Sequence, residues 1–250
     1  MSNMTHRILS ALIIAPLVVG IYKLGGMYWS GFLGLLAGIM AYEWLTITRN
    51  TRPYLWAAFL ALVLFLLLNT GKHIWLGAYA ALPVLLSQKK NKKAAFLAGP
   101  GVLLPVGCLA LVADFAGIAL FWLVLTVWAT DGFAMLVGKP VGGPRLAASV
   151  SPQKTWAGLF GGIGGSLLVT WAFLCALPGL PDILWFYAVI FPLLAQAGDL
   201  LESRLKRAFR VKDSGRIIPG HGGVLDRMDS FILTAPFLWV LLSAGVLSFS

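Results

Sequence analysis

Long apolar runs recur along the chain, and most charged residues lie in the short segments between them. The runs are about 15 to 24 residues long, and a helix needs about 20 apolar residues to cross a bilayer. Transmembrane β-strands would be shorter and would alternate between apolar and polar positions, which these runs do not do. The pattern predicts an all-α, polytopic integral membrane protein with about nine transmembrane helices, near residues 8–22, 27–48, 53–70, 73–87, 94–112, 115–137, 156–177, 183–200 and 230–249.

The amino-acid composition supports this fold class. Of the 250 residues, 59% are hydrophobic and 11% are charged, which is too apolar for a soluble globular protein. We expect a single membrane domain over residues 1–250, in which residues 1–112 are mainly scaffold helices. Cys108 and Cys175 lie in separate apolar runs without a metal-binding pattern around them, which indicates core packing.

The net charge of +10 is distributed unevenly along the chain. With a cytoplasmic N-terminus, all Lys and Arg residues except Lys23 and Lys72 fall in cytoplasmic segments, as the positive-inside rule requires. The charge therefore orients the protein in a membrane, and it does not indicate a nucleic-acid partner. This orientation places two polar segments, 128–158 and 196–230, on the cytoplasmic side as candidate active-site segments.

Segment 196–230 combines a helix end with a glycine turn. Five residues near its start recur at intervals of three and four and can share one helix face: Asp199, Glu202, Ser203, Lys206 and Arg207. The run Pro-Gly-His-Gly-Gly at 219–223 cannot continue that helix, because proline lacks an amide donor and glycine permits unusual backbone angles. Asp226 then begins the last apolar run, and folding back across the turn would bring Asp226 towards Asp199.

Carboxylates, cations and glycine amides in one segment indicate phosphate chemistry. Mg²⁺ in proteins takes one or two carboxylates, and phosphate oxygens complete its coordination shell. Lys and Arg side chains and glycine amides are the groups that bind polyphosphates. The alternative is a solvated segment whose charges only set the membrane topology.

Segment 128–158 adds a second group of polar residues. Asp131 lies in an otherwise apolar span, where an ionisable group is a functional-site hypothesis by default. The loop after it is rich in glycine and cations and contains Ser151, Lys154 and Thr155, the components of a phosphate-binding loop. Ser151 followed by Pro152 also predicts the start of a helix, with the serine as its cap.

Two features of the scaffold region leave alternatives open. Gly31, Gly34 and Gly38 recur at helical spacing and allow close approach of a neighbouring helix or, in a homodimer, of a second copy of the chain. Glu43 must point inward or reach the membrane interface, because a lipid-facing carboxylate is costly, and an interfacial position is favoured over a catalytic role.

A pattern of fixed positions runs through segment 196–230. It reads Ser203-x-Leu205-Lys206-Arg207, then Lys212-Asp213-x-Gly215, then Ile218-Pro219-x-His221-Gly222-Gly223-Val224-x-Asp226-Arg227-Met228-Asp229. This pattern resembles the signature of phosphatidate cytidylyltransferases, also called CDP-diacylglycerol synthases. Asp131-Gly132 and Ser151-Pro152-x-Lys154-Thr155 resemble a second block of that family. Lys139 stands where arginine is expected, and Ala157 stands where glutamate is common, which leaves a carboxylate role there open.

The resemblance implies transfer of the cytidylyl group of CTP to phosphatidic acid, which gives CDP-diacylglycerol and pyrophosphate in phospholipid biosynthesis. The implied partners are CTP, phosphatidic acid and the lipid bilayer. The implied location is a bacterial inner membrane, with the active site facing the cytoplasm. Mg²⁺ is the implied cofactor, and a second, monovalent cation is left open.

The resemblance also assigns roles to residues. Asp199 and Asp226 are expected to hold the metal, assisted by Asp131 or Asp229. His221 is expected to be a hydrogen-bonding residue of the catalytic group rather than its base. The expected substrate-binding residues are Ser151, Lys154, Thr155, Ser203, Lys206, Arg207, Lys212, Asp213, Gly222, Gly223 and Arg227.

Two other functions remain open from the sequence. A CTP-dependent polyprenol or lipid kinase would need the same metal, nucleotide and lipid. An ion-coupled transporter would use Asp131 and Asp199 at ion sites near the membrane midplane. Such transporters often contain internal repeats, and the sequence shows no convincing repeat.

Overall fold

The computed structural model describes residues 16–48, 52–70, 92–215, 217 and 222–249. Within these ranges, residues 16–24 are helical, and eight further helices and two short strands follow. The helices are α1 (Gly26–Ile47), α2 (Pro53–Asn69), α3 (Lys92–Phe115), α4 (Gly117–Val141), α5 (Trp156–Ala176), α6 (Leu184–Ala208), α7 (Leu225–Met228) and α8 (Phe231–Ser243). The strands are β1 (Arg145–Ala147) and β2 (Ser151–Thr155).

The apolar runs of the sequence form helices, which confirms the prediction of an all-α membrane protein. Helices α1 to α6 and α8 coincide with seven of the predicted spans. The span predicted near 73–87 and most of the one near 8–22 lie outside the described residues. Among the described helices, α1, α4, α5 and α6 are long and apolar enough to cross a membrane, and three shorter apolar helices accompany them.

The largest departures from the prediction are at the polar ends of the spans. Helix α6 continues beyond the predicted end at residue 200 to Ala208, and it carries the first part of segment 196–230 with it. Strands β1 and β2 pair antiparallel, with Arg145 opposite Thr155, where a loop was expected. The prediction that Ser151 caps a helix is wrong, because Ser151 begins β2. Helix α5 begins at Trp156, and Thr155 is its N-cap.

The chain divides into two compact units. The first consists of Met1–Ala110 and Phe209–Arg227, and the second of Leu111–Ala208 and Met228–Ser250. The prediction of a single membrane domain stays a prediction.

Glycines bring α1 and α2 together in the first unit. A Cβ atom on Gly34 would lie 2.9 Å from the carbonyl oxygen of Ala61, and one on Gly38 would lie 2.8 Å from the Ala61 Cβ. Both distances are shorter than van der Waals contact, so a larger residue at either glycine would push the helices apart. Helix α2 is thus the close neighbour that the glycine spacing predicted, and it accounts for Gly34 and Gly38 within one chain.

In the second unit, glycines likewise allow α4 and α5 to pack closely. A Cβ atom on Gly162 would lie 2.9 Å from the Thr130 carbonyl oxygen, and one on Gly165 would lie 2.8 Å from the Ala129 carbonyl oxygen. Helix α5 is also tied to α6, because the Ser166 hydroxyl donates to the Ala188 carbonyl oxygen at 2.6 Å. These contacts hold α4, α5 and α6 together in one unit.

Gly161→Ala should destabilise the protein by about 1–3 kcal/mol, because the added methyl would overpack the α4–α5 contact. Its Cβ would lie 2.6 Å from the Cβ of Val137. Gly164→Ala, on the same helix, is the matched control, because nothing lies within 4 Å of its Cβ position. The control should be neutral or stabilising by roughly 0.5–1 kcal/mol, since alanine is the better helix former. Thermal unfolding in detergent measures both, and equal midpoints for the two variants would contradict the packing described.

Candidate active site

Strands β1 and β2 form a β-hairpin, and an ion pair joins this hairpin to helix α6 in the second unit. Lys154 on β2 pairs with Asp199 on α6, and the two side chains are 16% and 25% exposed. Partial burial strengthens such a pair, because less water screens the two charges. The Ser203 hydroxyl, one turn further along α6, donates to Asp199 Oδ1 at 3.2 Å. The structure therefore brings together three of the residues that the sequence assigned to the site.

Thr155 links this hairpin to the helix that follows. Its side-chain oxygen accepts a hydrogen bond of 3.1 Å from the amide of Gly158, which satisfies one of the amides left unpaired at a helix start. Gly138 of α4 lies close to the same cap, since a Cβ there would lie 3.1 Å from Thr155 Oγ1. The cap thus fixes the position of Lys154, the preceding residue.

Asp229 lies beside Asp199 because Gly198 leaves space for it. A Cβ atom on Gly198 would lie 2.6 Å from the backbone carbonyl oxygen of Asp229. Ser230 connects the carboxylate of Asp229 to that of Asp131. Its amide donates to Asp229 Oδ1 at 2.7 Å, and its hydroxyl donates to Asp131 Oδ2 at 3.2 Å. Three predicted catalytic carboxylates therefore belong to one cluster in the second unit.

The surroundings of Asp229 raise its proton affinity. Burial raises the pKa of Asp229 well above its usual range, and the charges of Asp199, Glu202 and Asp131 raise it further. The amide of Ser230 acts in the opposite direction. Like charges in a partly buried site repel, and a bound cation would relieve this repulsion.

Glu202 and Lys206 form a second ion pair, one turn apart on α6. Lys206 Nζ lies 2.7 Å from Glu202 Oε2, and the two side chains are buried. Lys206 was expected to bind substrate, whereas no role in the site was expected for Glu202. The structure gives Lys206 an internal partner, and the expected contact with substrate stays a prediction.

Asp226 organises backbone amides in the first unit. Its Oδ1 and Oδ2 accept from the amide of Ser214 at 3.1 and 3.0 Å, and its Oδ2 also accepts from the amide of Gly223 at 2.9 Å. Gly222 approaches the same carboxylate, because a Cβ there would lie 2.8 Å from Asp226 Oδ2. Gly222 also has a φ of +82°, a backbone conformation that favours glycine. The residues around Gly222 and Gly223 therefore adopt a geometry that larger side chains would disturb.

Glu43 points inward, which is one of the two positions that the sequence left open for it. It lies on α1 and is 1% exposed. Its Oε2 accepts from the Ser214 hydroxyl at 3.0 Å and the Leu225 amide at 2.8 Å, and its Oε1 accepts from the Val224 amide at 3.0 Å. A hydrogen bond to a charged group contributes about 1.5–3 kcal/mol, so these bonds stabilise the contact between α1 and residues 214, 224 and 225. An acidic residue in an apolar span was the signal that could have found it.

The remaining predicted residues are distributed between the two units. Arg207 is exposed in the second unit, and Lys212, Asp213 and Arg227 are exposed in the first. His221 lies outside the described residues. Asp199 belongs to the second unit and Asp226 to the first, so their predicted pairing stays a prediction.

The donor chemistry of the second unit suits a hard divalent cation. Within the described residues, no three or more His, Cys, Asp or Glu side chains are arranged as a metal site. Asp131, Asp199 and Asp229 nevertheless supply the carboxylate oxygens that Mg²⁺ prefers, and their mutual repulsion favours a cation among them. Lys154 adds a cation that can hold a phosphate oxygen. These are the residues of the second unit that could hold a metal ion or a phosphate.

Known proteins of one family resemble this chain over nearly its whole length. Residues 5–244 match the cytidylyltransferase family. A phosphatidate cytidylyltransferase of Brucella abortus is 35% identical over 259 residues, which cover 96% of this chain and 93% of the relative. A phosphatidate cytidylyltransferase of Rickettsia felis is 44% identical over 136 residues, which cover 48% of this chain and 58% of the relative. That of Bacillus subtilis is 44% identical over 126 residues, which cover 50% of this chain and 47% of the relative.

The matched range contains both polar segments, with the ion pair of Lys154 and Asp199 and the amides around Asp226. The resemblance carried by the signature residues is thus confirmed well beyond them. The chain belongs to the cytidylyltransferase family.

Proposed function

We propose that the protein is a membrane enzyme that transfers the cytidylyl group of CTP to phosphatidic acid, forming CDP-diacylglycerol and pyrophosphate. The observation that carries the proposal is the family match over residues 5–244, since it includes every residue that the site analysis uses. Relatives named phosphatidate cytidylyltransferase support the choice of substrates. A polyprenol kinase and an ion-coupled transporter are not favoured by these matches.

The reaction joins two phosphates. A phosphate oxygen of phosphatidic acid attacks the α-phosphorus of CTP, the bond between that phosphorus and the oxygen bridging to the β-phosphate breaks, and pyrophosphate leaves. The attacking phosphate is already largely ionised near neutral pH, so the step needs no strong general base. This is why His221 is assigned to hydrogen bonding rather than to proton removal.

The hairpin residues are suited to hold one phosphate. Lys154 is fixed at the start of α5 by the Thr155 cap, and its ammonium group already pairs with an anionic oxygen of Asp199. A phosphate oxygen is a chemically similar partner, so Lys154 can exchange one for the other. The Thr155 hydroxyl accepts the capping bond and carries its own hydrogen, which can be donated to a phosphate.

We assign a magnesium ion to the carboxylates. Asp199 and Asp226 would hold it, with Asp131 or Asp229 assisting. Bound Mg²⁺ would neutralise the charge that develops on the phosphates during transfer. The arrangement around Asp226 supports this role, because the amides of Ser214 and Gly223 fix the orientation of its carboxylate.

We further propose that both polar segments face the cytoplasm of a bacterial inner membrane. The distribution of Lys and Arg residues supports this orientation, since all but Lys23 and Lys72 fall on one side. CTP is a cytoplasmic compound, so this orientation gives the site access to its substrate.

The position of the transferred phosphorus tests the proposed function. Purified protein is given phosphatidic acid, Mg²⁺ and CTP labelled at either the α- or the γ-phosphate, and the extracted lipid is counted. We expect label in the lipid from α-labelled CTP alone, because the cytidylyl group keeps the α-phosphate. Label from γ-labelled CTP, with a polyprenol acceptor and not with phosphatidic acid, would instead identify a kinase.

Asp226→Asn should retain the fold and lose more than tenfold in turnover, a loss above about 1.4 kcal/mol. The amide can place its oxygen at the Oδ2 position and keep the bonds to Ser214 and Gly223, but it lacks the charge that holds a cation. Asp182→Asn, a change of the same kind at an exposed residue, is the control and should turn over at the wild-type rate. Chelation of divalent metal should abolish the activity of the wild type, and Mg²⁺ should restore it. Full activity in excess EDTA would exclude the metal from the mechanism.

Accessible cysteines test the orientation. In a background without Cys108 and Cys175, single cysteines replace Ala148 in the hairpin turn, Ala208 at the end of α6, and Lys23, all of which are exposed. An impermeant thiol reagent should label Ala148→Cys and Ala208→Cys from the cytoplasmic face and Lys23→Cys from the opposite face. Labelling of the first two from different faces would exclude a shared site.

A further inference from the structure

Glu43 holds two separated parts of the signature. The signature segment is defined here as residues 209–215, 217 and 222–227, the described residues of the first unit that follow α6. The Glu43 carboxylate accepts from the Ser214 hydroxyl in the first part and from the amides of Val224 and Leu225 in the second. Those two amides lie at the start of α7, where helical geometry leaves amides unpaired. A side chain of α1 therefore fixes both parts through buried bonds.

Two glycines of the signature segment pack closely against the Glu43 carboxylate. A Cβ atom on Gly215 would lie 2.5 Å from Glu43 Oε1, and one on Gly223 would lie 2.5 Å from Glu43 Oε2. Neither position has room for a side chain while Glu43 is in place. This requirement for glycine is independent of the hydrogen bonds, and it identifies the same residue.

Ser214 connects Glu43 to Asp226. Its hydroxyl donates to Glu43, and its amide donates to both carboxylate oxygens of Asp226. Gly223 has a similar position, because its amide donates to Asp226 and its α-carbon lies against Glu43. A shift of the Glu43 carboxylate would move both residues that orient Asp226.

Helix α1 holds the start of the segment as well. The ring of Trp44, next to Glu43 in the chain, contacts the ring of Phe209 edge to face, with ring centroids 5.7 Å apart. Such aromatic contacts add to the stability of the surrounding core. The contacts of α1 thus extend from Phe209 to Leu225, the beginning and the end of the chain that leads to Asp226.

We propose that Glu43 is a positioning residue of the reaction, which acts by holding Asp226 in its working orientation through Ser214 and Gly223. The catalytic part of this inference rests on the proposed function. Glu43 itself has no contact with substrate in this role. A displacement of about 1 Å in a catalytic group can lower a rate by about a hundredfold, so the loss of this carboxylate should be measurable in turnover.

Glu43→Gln is the informative variant. The amide keeps the shape of the side chain, but its single oxygen can replace only one carboxylate oxygen, so its NH₂ group must face the Val224 amide or the two donors at Oε2. We expect kcat to fall tenfold to a hundredfold in the labelled-CTP assay. Asp182→Asn serves again as the control and should keep the wild-type rate.

A double-mutant cycle separates positioning from a general loss of folded protein. Glu43→Gln and Asp226→Asn are measured alone and together. If Glu43 acts through Asp226, the double variant should turn over within threefold of Asp226→Asn alone, because the same contribution has already been lost. A general loss of folded protein would multiply the two effects, and such multiplication would overturn the proposal. A wild-type rate in Glu43→Gln would overturn it as well.

Amide hydrogen exchange provides a test that needs no turnover. Peptides containing Ser214 and Val224–Leu225 should exchange at least tenfold faster in Glu43→Gln than in the wild type, while peptides of α5 should be unchanged. Unchanged exchange in both regions would overturn the proposal even if activity fell. If the wild type formed no CDP-diacylglycerol, the proposed function would fail, and exchange would still decide whether Glu43 holds the segment.

Discussion

A carboxylate removed from water is stable when hydrogen-bond donors surround it, and this constraint shapes the first unit. Glu43 meets it with two backbone amides and one hydroxyl, and it takes them from residues far along the chain. Because the donors must converge on one carboxylate, the chain after α6 has to approach α1 closely. Gly215 and Gly223 make that approach feasible. The conformation around Asp226 thus depends on a side chain that lies far from it in sequence.

In the second unit several carboxylates lie near one another, so their negative charges repel. Asp131, Asp199 and Glu202 repel Asp229, and burial together with this repulsion raises the pKa of Asp229. The structure offsets it with Lys154, Lys206 and the donors of Ser230. In the proposed function, a magnesium ion bound at this cluster would reduce the repulsion and would hold the phosphates of CTP.

Close packing of helices positions the polar residues of the second unit. The glycines of α5 allow α4 to approach, which brings Asp131 into the same unit as the hairpin. Gly198 also allows a close approach, because its lack of a side chain lets the backbone of Asp229 lie against α6 beside Asp199. In each case the absence of one methyl group decides a distance of a few ångströms. Distances of that size decide whether charged groups interact strongly.

The sequence by itself determined the fold class and the helices, and it supplied the candidate site residues. Apolar runs of membrane length predict helices because a backbone in lipid must satisfy its own hydrogen bonds, and seven described helices lie where those runs lie. Signature residues were found because their spacing is specific. The hairpin was missed, because strand pairing between short polar segments depends on partners that local patterns do not reveal. Thr155 was missed as the cap for the same reason, since Ser151 and Thr155 are both capping residues and only the pairing of β2 with β1 distinguishes them.

Tertiary structure alone decided which residues act on one another. The sequence marks Glu43 as unusual, but burial and its three donors from the chain near Asp226 are visible only in the folded protein. Lys154 and Asp199 were each assigned to the site, whereas their ion pair follows from the packing of α5 against α6. The physical reason is that electrostatic and hydrogen-bond energies depend on distances across the fold. Periodicity and motif spacing describe only neighbours along the chain.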